Sequence, residues 1–162
     1  MVQSPGKKDD IGVQGRRSRR DFKKKAGKIM QRYHFCEIDL AAIRHNVGVM
    51  KSHIAGGAKF LAVVKADAYG HGAVPVAKAV LEAGADMLAV AIPEEGIELR
   101  NAGIAAPILV LGGIEESAAE AVVQYNLTQV VFDESRIRAL AQAGRKLGQN
   151  AQVHLKLDTG MN

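Results

Sequence analysis

At 162 residues, 48% of them hydrophobic, the chain is long enough to bury one sizeable core. No apolar stretch approaches the ~20 residues that a membrane helix needs, and no signal-peptide pattern opens the chain, so neither a helical span nor a secretory leader is expected. The formal charge of +5 is unevenly placed: residues 1–32 hold eleven of the 22 lysines and arginines and three of the 17 acids, which leaves that segment at +8 and residues 33–162 at −3.

The basic excess is therefore a property of the N-terminal tail. Residues 1–32 contain Arg16-Arg17-Ser18-Arg19-Arg20 and Lys23-Lys24-Lys25, have few apolar residues and show no sustained periodicity. They are expected to be disordered, having little to bury against the chain entropy of ordering. Such tails can bind nucleic acid or membrane surfaces, but a solvated or non-native segment is the preferred reading, and neither partner is expected. Met30 stands where the charge changes sign, so native translation is expected to start there, which would make residues 1–29 a misassigned start or a non-native leader. Cys36 is the one cysteine and cannot form an internal disulfide, which suits a reducing compartment. Cytoplasm is the expected location.

Beyond residue 35, helix-like and strand-like segments alternate. A helix is expected from Leu40 to about Lys51, with Ile43, Val47 and Met50 on one face. Strands are expected at Lys59 to Lys65, Met87 to Ile92, Pro107 to Leu111, Gln129 to Asp133 and Gln152 to Asp158. Pro93 can open a helix carrying Glu94 and Glu95 in its first turn, Arg100 near its end and Gly103 after it. Asp133 can cap a helix over Glu134 to Leu147, with Ile137, Leu140, Ala141, Gly144 and Leu147 facing the core and Gly148 as the stop. Strict alternation implies a parallel sheet with helices outside it. Periodicity alone does not choose between an open doubly wound sheet and a barrel.

The most informative stretch is Ala62 to Gly72, AVVKADAYGHG. Lys65 ends a valine-rich apolar run that suits a strand buried on both faces. The carboxyl end of a parallel strand is where α/β folds place their chemistry, and a primary amine there can form an imine with a carbonyl compound. In the turn that follows, Gly70 and Gly72 would allow close backbone approach to an anion, and Tyr69 offers a hydroxyl donor.

This stretch resembles the pyridoxal-phosphate lysine motif of the alanine racemases. The similarity runs from about Phe35 to Asn162. It includes Glu37-Ile38-Asp39-Leu40-Ala41-Ala42-Ile43-Arg44-His45-Asn46, Pro93-Glu94-Glu95-Gly96-Ile97-Glu98-Leu99-Arg100, and His154-Leu155-Lys156-Leu157-Asp158-Thr159-Gly160-Met161-Asn162. Four motifs in the family's order make a strong signal. The resemblance implies a partial (β/α)8 TIM barrel over residues 33–162, with about five strands present and the rest of the barrel and a C-terminal β domain missing. A whole barrel takes ~250 residues. Glu37 to Leu40 is expected as a strand ahead of the first helix.

The implied activity is racemisation of L-alanine to D-alanine, a cell-wall precursor, with pyridoxal 5'-phosphate as cofactor, alanine as substrate and a homodimer as the full-length assembly. The resemblance gives Lys65 the Schiff-base linkage and one of two proton-transfer roles. Tyr69 would contact the cofactor phosphate, and Leu111, ending a strand before Gly112-Gly113, would touch the cofactor ring or simply pack in the core. Lys156 matches a lysine that is carbamylated in some members, a modification requiring a buried amine of depressed pKa; an ordinary ion pair is the competing role. His71 is expected to shape the turn rather than shuttle protons, and no metal site is expected. None of Tyr33, Tyr69 and Tyr125 matches the family's second base, a tyrosine of the partner subunit, so residues 1–162 alone are expected to be inactive. The alternatives are a racemase for another amino acid, such as serine or a basic residue, and a non-catalytic pyridoxal-phosphate-binding barrel serving cofactor homeostasis.

Overall fold

The computed structural model describes residues 36–160. The expectations for the tail (residues 1–32), for a start at Met30 and for Tyr33 lie outside the described residues. In chain order the elements are α1 (Leu40–Ser52), β1 (Leu61–Val63), the short α2 (Lys65–Gly70), α3 (Ala73–Glu82), β2 (Met87–Val90) and α4 (Pro93–Asn101). They continue with β3 (Ile108–Val110), a 3-10 turn (Glu116–Ala118) leading into α5 (Ala119–Gln124), β4 (Thr128–Val131), α6 (Glu134–Leu147) and β5 (Gln152–Leu155). Among the described residues no helix is long and apolar enough to cross a membrane.

The five strands form one parallel sheet in the order β1-β2-β3-β4-β5. Each strand pairs with the next in sequence and the order never reverses. A doubly wound sheet needs such a reversal to place helices on both faces, whereas unbroken right-handed crossovers put every helix on one face. Burial follows the same division. One large cluster joins the helices to Ala62, Val64, Leu88, Val90, Ile108 and Val110. The alternate strand positions Ala89, Leu109 and Val130, with Leu61 against them, form a separate small cluster on the other face. Helices outside and a thin apolar layer inside are the wall of a (β/α)8 barrel, here five strands of it.

Several elements form where local chemistry places them. Asp133 accepts from the Arg136 amide at 3.0 Å to cap α6, and Gly148 ends it at φ 64° in the left-handed region. Pro93 opens α4 as expected. The segment before α1 differs: among the described residues Glu37 to Asp39 is not assigned to a strand, and Leu40 already belongs to α1. The Asp39 carboxylate is drawn instead onto the Ala41 and Ala42 amides at 2.9 and 3.1 Å, which makes it a helix cap.

Two helix faces are also rotated from expectation. Val47 is buried on α1, but Met50 is 51% exposed. On α6 the buried residues are Leu140, Ala143 and Gly144, whereas Ile137 is 40% exposed and lines, with Ala141 and Val153, an open groove beside β5. The tighter side of α6 is fixed by Gly144, where an added Cβ would stand 2.6 Å from the Gln149 carbonyl oxygen. Gly144→Ala is therefore expected to push the turn after α6 outward, at a cost of about 1–3 kcal/mol. The check is a lower denaturant midpoint at unchanged m value.

Arg100 joins two loops at the amino-terminal end of the strands. Its guanidinium donates to the carbonyls of Ile104 and Ala106, both at 2.7 Å, and to those of Tyr125 and Asn126 at 3.0 and 2.9 Å. These carbonyls belong to the turns that feed β3 and β4, so one planar fork sets the entry of two adjacent strands.

Candidate active site at the carboxyl ends of the strands

Side-chain alternation decides which residues share the inner face. Ala62 and Val64 belong to the helix-side cluster, so Leu61 and Val63 face inward, and Lys65 follows two residues after β1 as the first residue of α2. The same parity places Ala91 after β2, Leu111 after β3, Phe132 after β4 and Lys156 after β5 on that face. The ladder supports this extension: the Leu111 amide donates to Val90 O at 2.9 Å and the Lys156 amide to Val131 O at 2.8 Å. Lys65, Leu111 and Lys156 thus stand at one end of the sheet, just past the carboxyl ends of the first, third and fifth strands.

Lys65 is half-buried, and among the described residues its amine has no hydrogen-bond or ion-pair partner. The chain beyond it does something the sequence does not announce. Ala66, Asp67, Ala68 and Tyr69 all lie in the left-handed helical region, with φ between 51° and 55° and ψ between 37° and 52°. For L-residues this costs about 1–2 kcal/mol each, and it persists only where the surroundings over-determine it.

The surroundings here are hydrogen bonds. Asp67 receives the Gly72 amide on its main-chain oxygen at 2.9 Å and the Ala73 amide on Oδ1 at 2.6 Å, which ties the turn to the start of α3. His71 bends back so that Nδ1–H donates to the carbonyls of Ala68 at 3.0 Å and Tyr69 at 3.2 Å. The Ala66 amide donates to Glu95 Oε1 at 2.6 Å. Ala68 is buried beneath the turn and Tyr69 stands out of it, 61% exposed.

The turn therefore uses several of its own donors. The amides of His71, Gly72 and Ala73 are all committed internally, so the anion-facing role expected of the Gly72 backbone is not available. The reason is the carboxylate and carbonyl of Asp67, which take those protons first. Tyr69, four residues after Lys65, keeps an exposed hydroxyl.

Elsewhere at this end of the sheet, Leu111 is 37% exposed and leads into Gly112, where a Cβ would lie 2.6 Å from the Ala91 carbonyl oxygen. Gln129, fully buried, donates Nε2–H to Gly112 O at 2.6 Å and to Val130 O at 2.8 Å and so pins that loop. Phe132 is 52% exposed with the Arg136 guanidinium 5.4 Å above its ring. Arg136 also donates Nε–H to Ile114 O at 2.6 Å and pairs with Asp133. The Arg136 amide, and then its guanidinium, hold the Asp133 carboxyl below the usual carboxylate range. Lys156 is solvent-exposed and follows β5, the edge strand of the sheet. Among the described residues no cluster of histidine, cysteine, aspartate and glutamate could hold a metal.

A model of the alanine racemase N-terminal domain matches residues 38–162. The chain belongs to the alanine racemase family. It is 53% identical over 127 residues to an alanine racemase of Symbiobacterium thermophilum, a span of 78% of this chain and 33% of that protein. The solved alanine racemase of Clostridium difficile 630 superposes with a TM-score of 0.73 at 41% identity, covering 76% of this chain and 32% of that one. A histidine racemase from Leuconostoc mesenteroides superposes with a TM-score of 0.70 at 32% identity, covering 76% and 33% respectively. The chain spans about a third of the length of these alanine racemase family members. Family membership implies a pyridoxal-phosphate site, and the residues at this end of the sheet fit one: a half-buried lysine without a polar partner among the described residues, an exposed phenol in the turn that follows it, and an apolar side chain two strands away.

The sequence nominates Lys65, Tyr69, Leu111 and Lys156 because each stands at or after a strand end, all but Leu111 within a motif. It passes over Glu95 and Gln129. Glu95 carried a signal only as an acid in the first turn of α4, and Gln129 as a polar residue in an apolar strand.

Proposed function

We propose that this chain is the cofactor-lysine portion of a pyridoxal-phosphate-dependent racemase that interconverts L- and D-alanine. The observation that carries this reading is Lys65, half-buried and without a polar partner among the described residues, past the carboxyl end of β1 and ahead of a strained turn. Bound pyridoxal phosphate supplies an electron sink conjugated to the substrate Cα. Lys65 would anchor it through its amine and would hold or move the proton on one face of Cα. The Tyr69 hydroxyl would donate to the phosphate, and the Leu111 side chain would pack against the ring. Inversion requires a second acid/base on the opposite face. Membership of the alanine racemase family implies that this group is a tyrosine of the partner subunit in a homodimer, a residue that neither Tyr69 nor Tyr125 matches.

A second substrate is favoured by one finding: a histidine racemase shares this part of the barrel. That likeness, at 32% identity, supports a racemase for another amino acid as the second reading.

The test is borohydride reduction of the full-length protein with pyridoxal phosphate, followed by peptide mapping, alongside racemisation assays with alanine, serine and histidine. A reduced pyridoxyl group on Lys65 and fastest turnover of alanine are expected. A label on another lysine overturns the site. Faster turnover of serine or histidine overturns the substrate. A label on Lys65 with no turnover of any amino acid would leave a cofactor-binding barrel in place of a racemase.

A further inference from the structure

Glu95 stands three residues into α4, where a carboxylate ordinarily reaches back to the amides that precede its own helix. One oxygen does this: Oε2 accepts from the Ala91 amide at 2.7 Å and lies 3.4 Å from that of Ile92. A helix cap would be complete at that point. The other oxygen leaves the helix altogether and accepts the Ala66 amide, 29 residues earlier in the chain, at 2.6 Å. Ala66 adjoins Lys65 and is the first of the four left-handed residues. The carboxylate therefore bridges the end of β2 to the start of the strained turn, on the side of the sheet where Lys65 emerges.

We infer that Glu95 is the positioning residue of the Lys65 site, its carboxylate fixing the backbone from which the reactive amine projects. The inference rests on the reading of Lys65 as the cofactor lysine and adds to it a group that touches neither cofactor nor substrate. Three features support it. A left-handed run of Ala-Asp-Ala-Tyr has little intrinsic preference for that conformation, so each external tie counts. The Asp67 and His71 contacts hold the distal half of the turn, which leaves Glu95 as the side chain that holds its first residue. Charge-assisted bonds to amide donors are also the strong kind.

The experiment uses full-length enzyme loaded with pyridoxal phosphate. Adduct formation at Lys65 in the parent is measured first, so failure of the Lys65 reading appears there, before any variant is compared. Glu95→Ala is expected to alter the visible absorbance of the lysine-bound cofactor. It should weaken cofactor retention at least tenfold and lower kcat about 10²-fold with little change in KM, the effect of misplacing a reacting group by about an ångström. Glu95→Gln keeps one acceptor oxygen but turns an amide N–H toward a backbone N–H, and an intermediate loss is expected. It carries the test if the alanine variant does not fold. Arg100→Ala, at the opposite end of the strands, serves as the comparator: it should lower Tm while leaving absorbance and cofactor retention as in the parent. The inference is overturned if the Glu95 variants lose only Tm, or if their spectra and cofactor retention match those of Arg100→Ala.

Discussion

Alanine in place of Lys65 is expected to remove, in the full-length protein, both the visible absorbance of lysine-bound pyridoxal phosphate and all measurable racemisation of alanine. The loss follows from two roles falling on one amine. Under the proposed function it would hold the cofactor as anchor. As acid/base it would serve one face of Cα, and losing one such group typically costs about 10²–10⁴ in rate. Fold stability should change little, because the Lys65 amine makes no hydrogen bond or ion pair among the described residues and the side chain is only half-buried. Absorbance, turnover and Tm measured together separate the possibilities. An unchanged spectrum would place the linkage on another lysine, and a collapsed Tm would make Lys65 a structural residue.

The largest stability effect is expected at Arg100. Arg100→Ala leaves four carbonyl groups, those of Ile104, Ala106, Tyr125 and Asn126, without their shared donor. Hydrogen bonds to a charged partner are worth about 1.5–3 kcal/mol each, but bonds made by one fork are not additive. Burial also lowers the guanidinium's pKa, a sign that holding the charge there has a cost. The expected net loss is about 2–4 kcal/mol, measured by chemical denaturation. Arg100→Lys should recover little of it, because a single ammonium cannot span carbonyls on two loops. Stability within 0.5 kcal/mol of the parent in the alanine variant would show that water replaces the fork without cost.

Most of the element order was legible in the residues. The valine-rich runs give the strands, Asp133 and Gly148 bound α6, and Pro93 starts α4, because each signal acts within a few residues of its effect. The expected strand ends ran one to three residues too long, as at Asp158 against an observed end at Leu155. Apolar character continues past the last ladder bond, and only pairing with a neighbour ends a strand. Exposed Met50 and Ile137 show the same limit for helices: spacing finds an apolar face, but the neighbours decide how far round the helix burial extends.

By itself, the sequence determined a parallel α/β wall, the lysine at the end of its first strand and the family to which both belong. Each depends on residue type and local spacing, and both are visible along a line. Only the tertiary structure decided that Ala66 to Tyr69 coil left-handed, that the Gly72 amide is consumed by Asp67, and that Glu95 clasps the chain beside Lys65. Nothing in an Ala-Asp-Ala-Tyr run favours that backbone. It exists because hydrogen-bond partners brought close by the fold, one of them 29 residues away, outweigh a local preference of about 1–2 kcal/mol per residue.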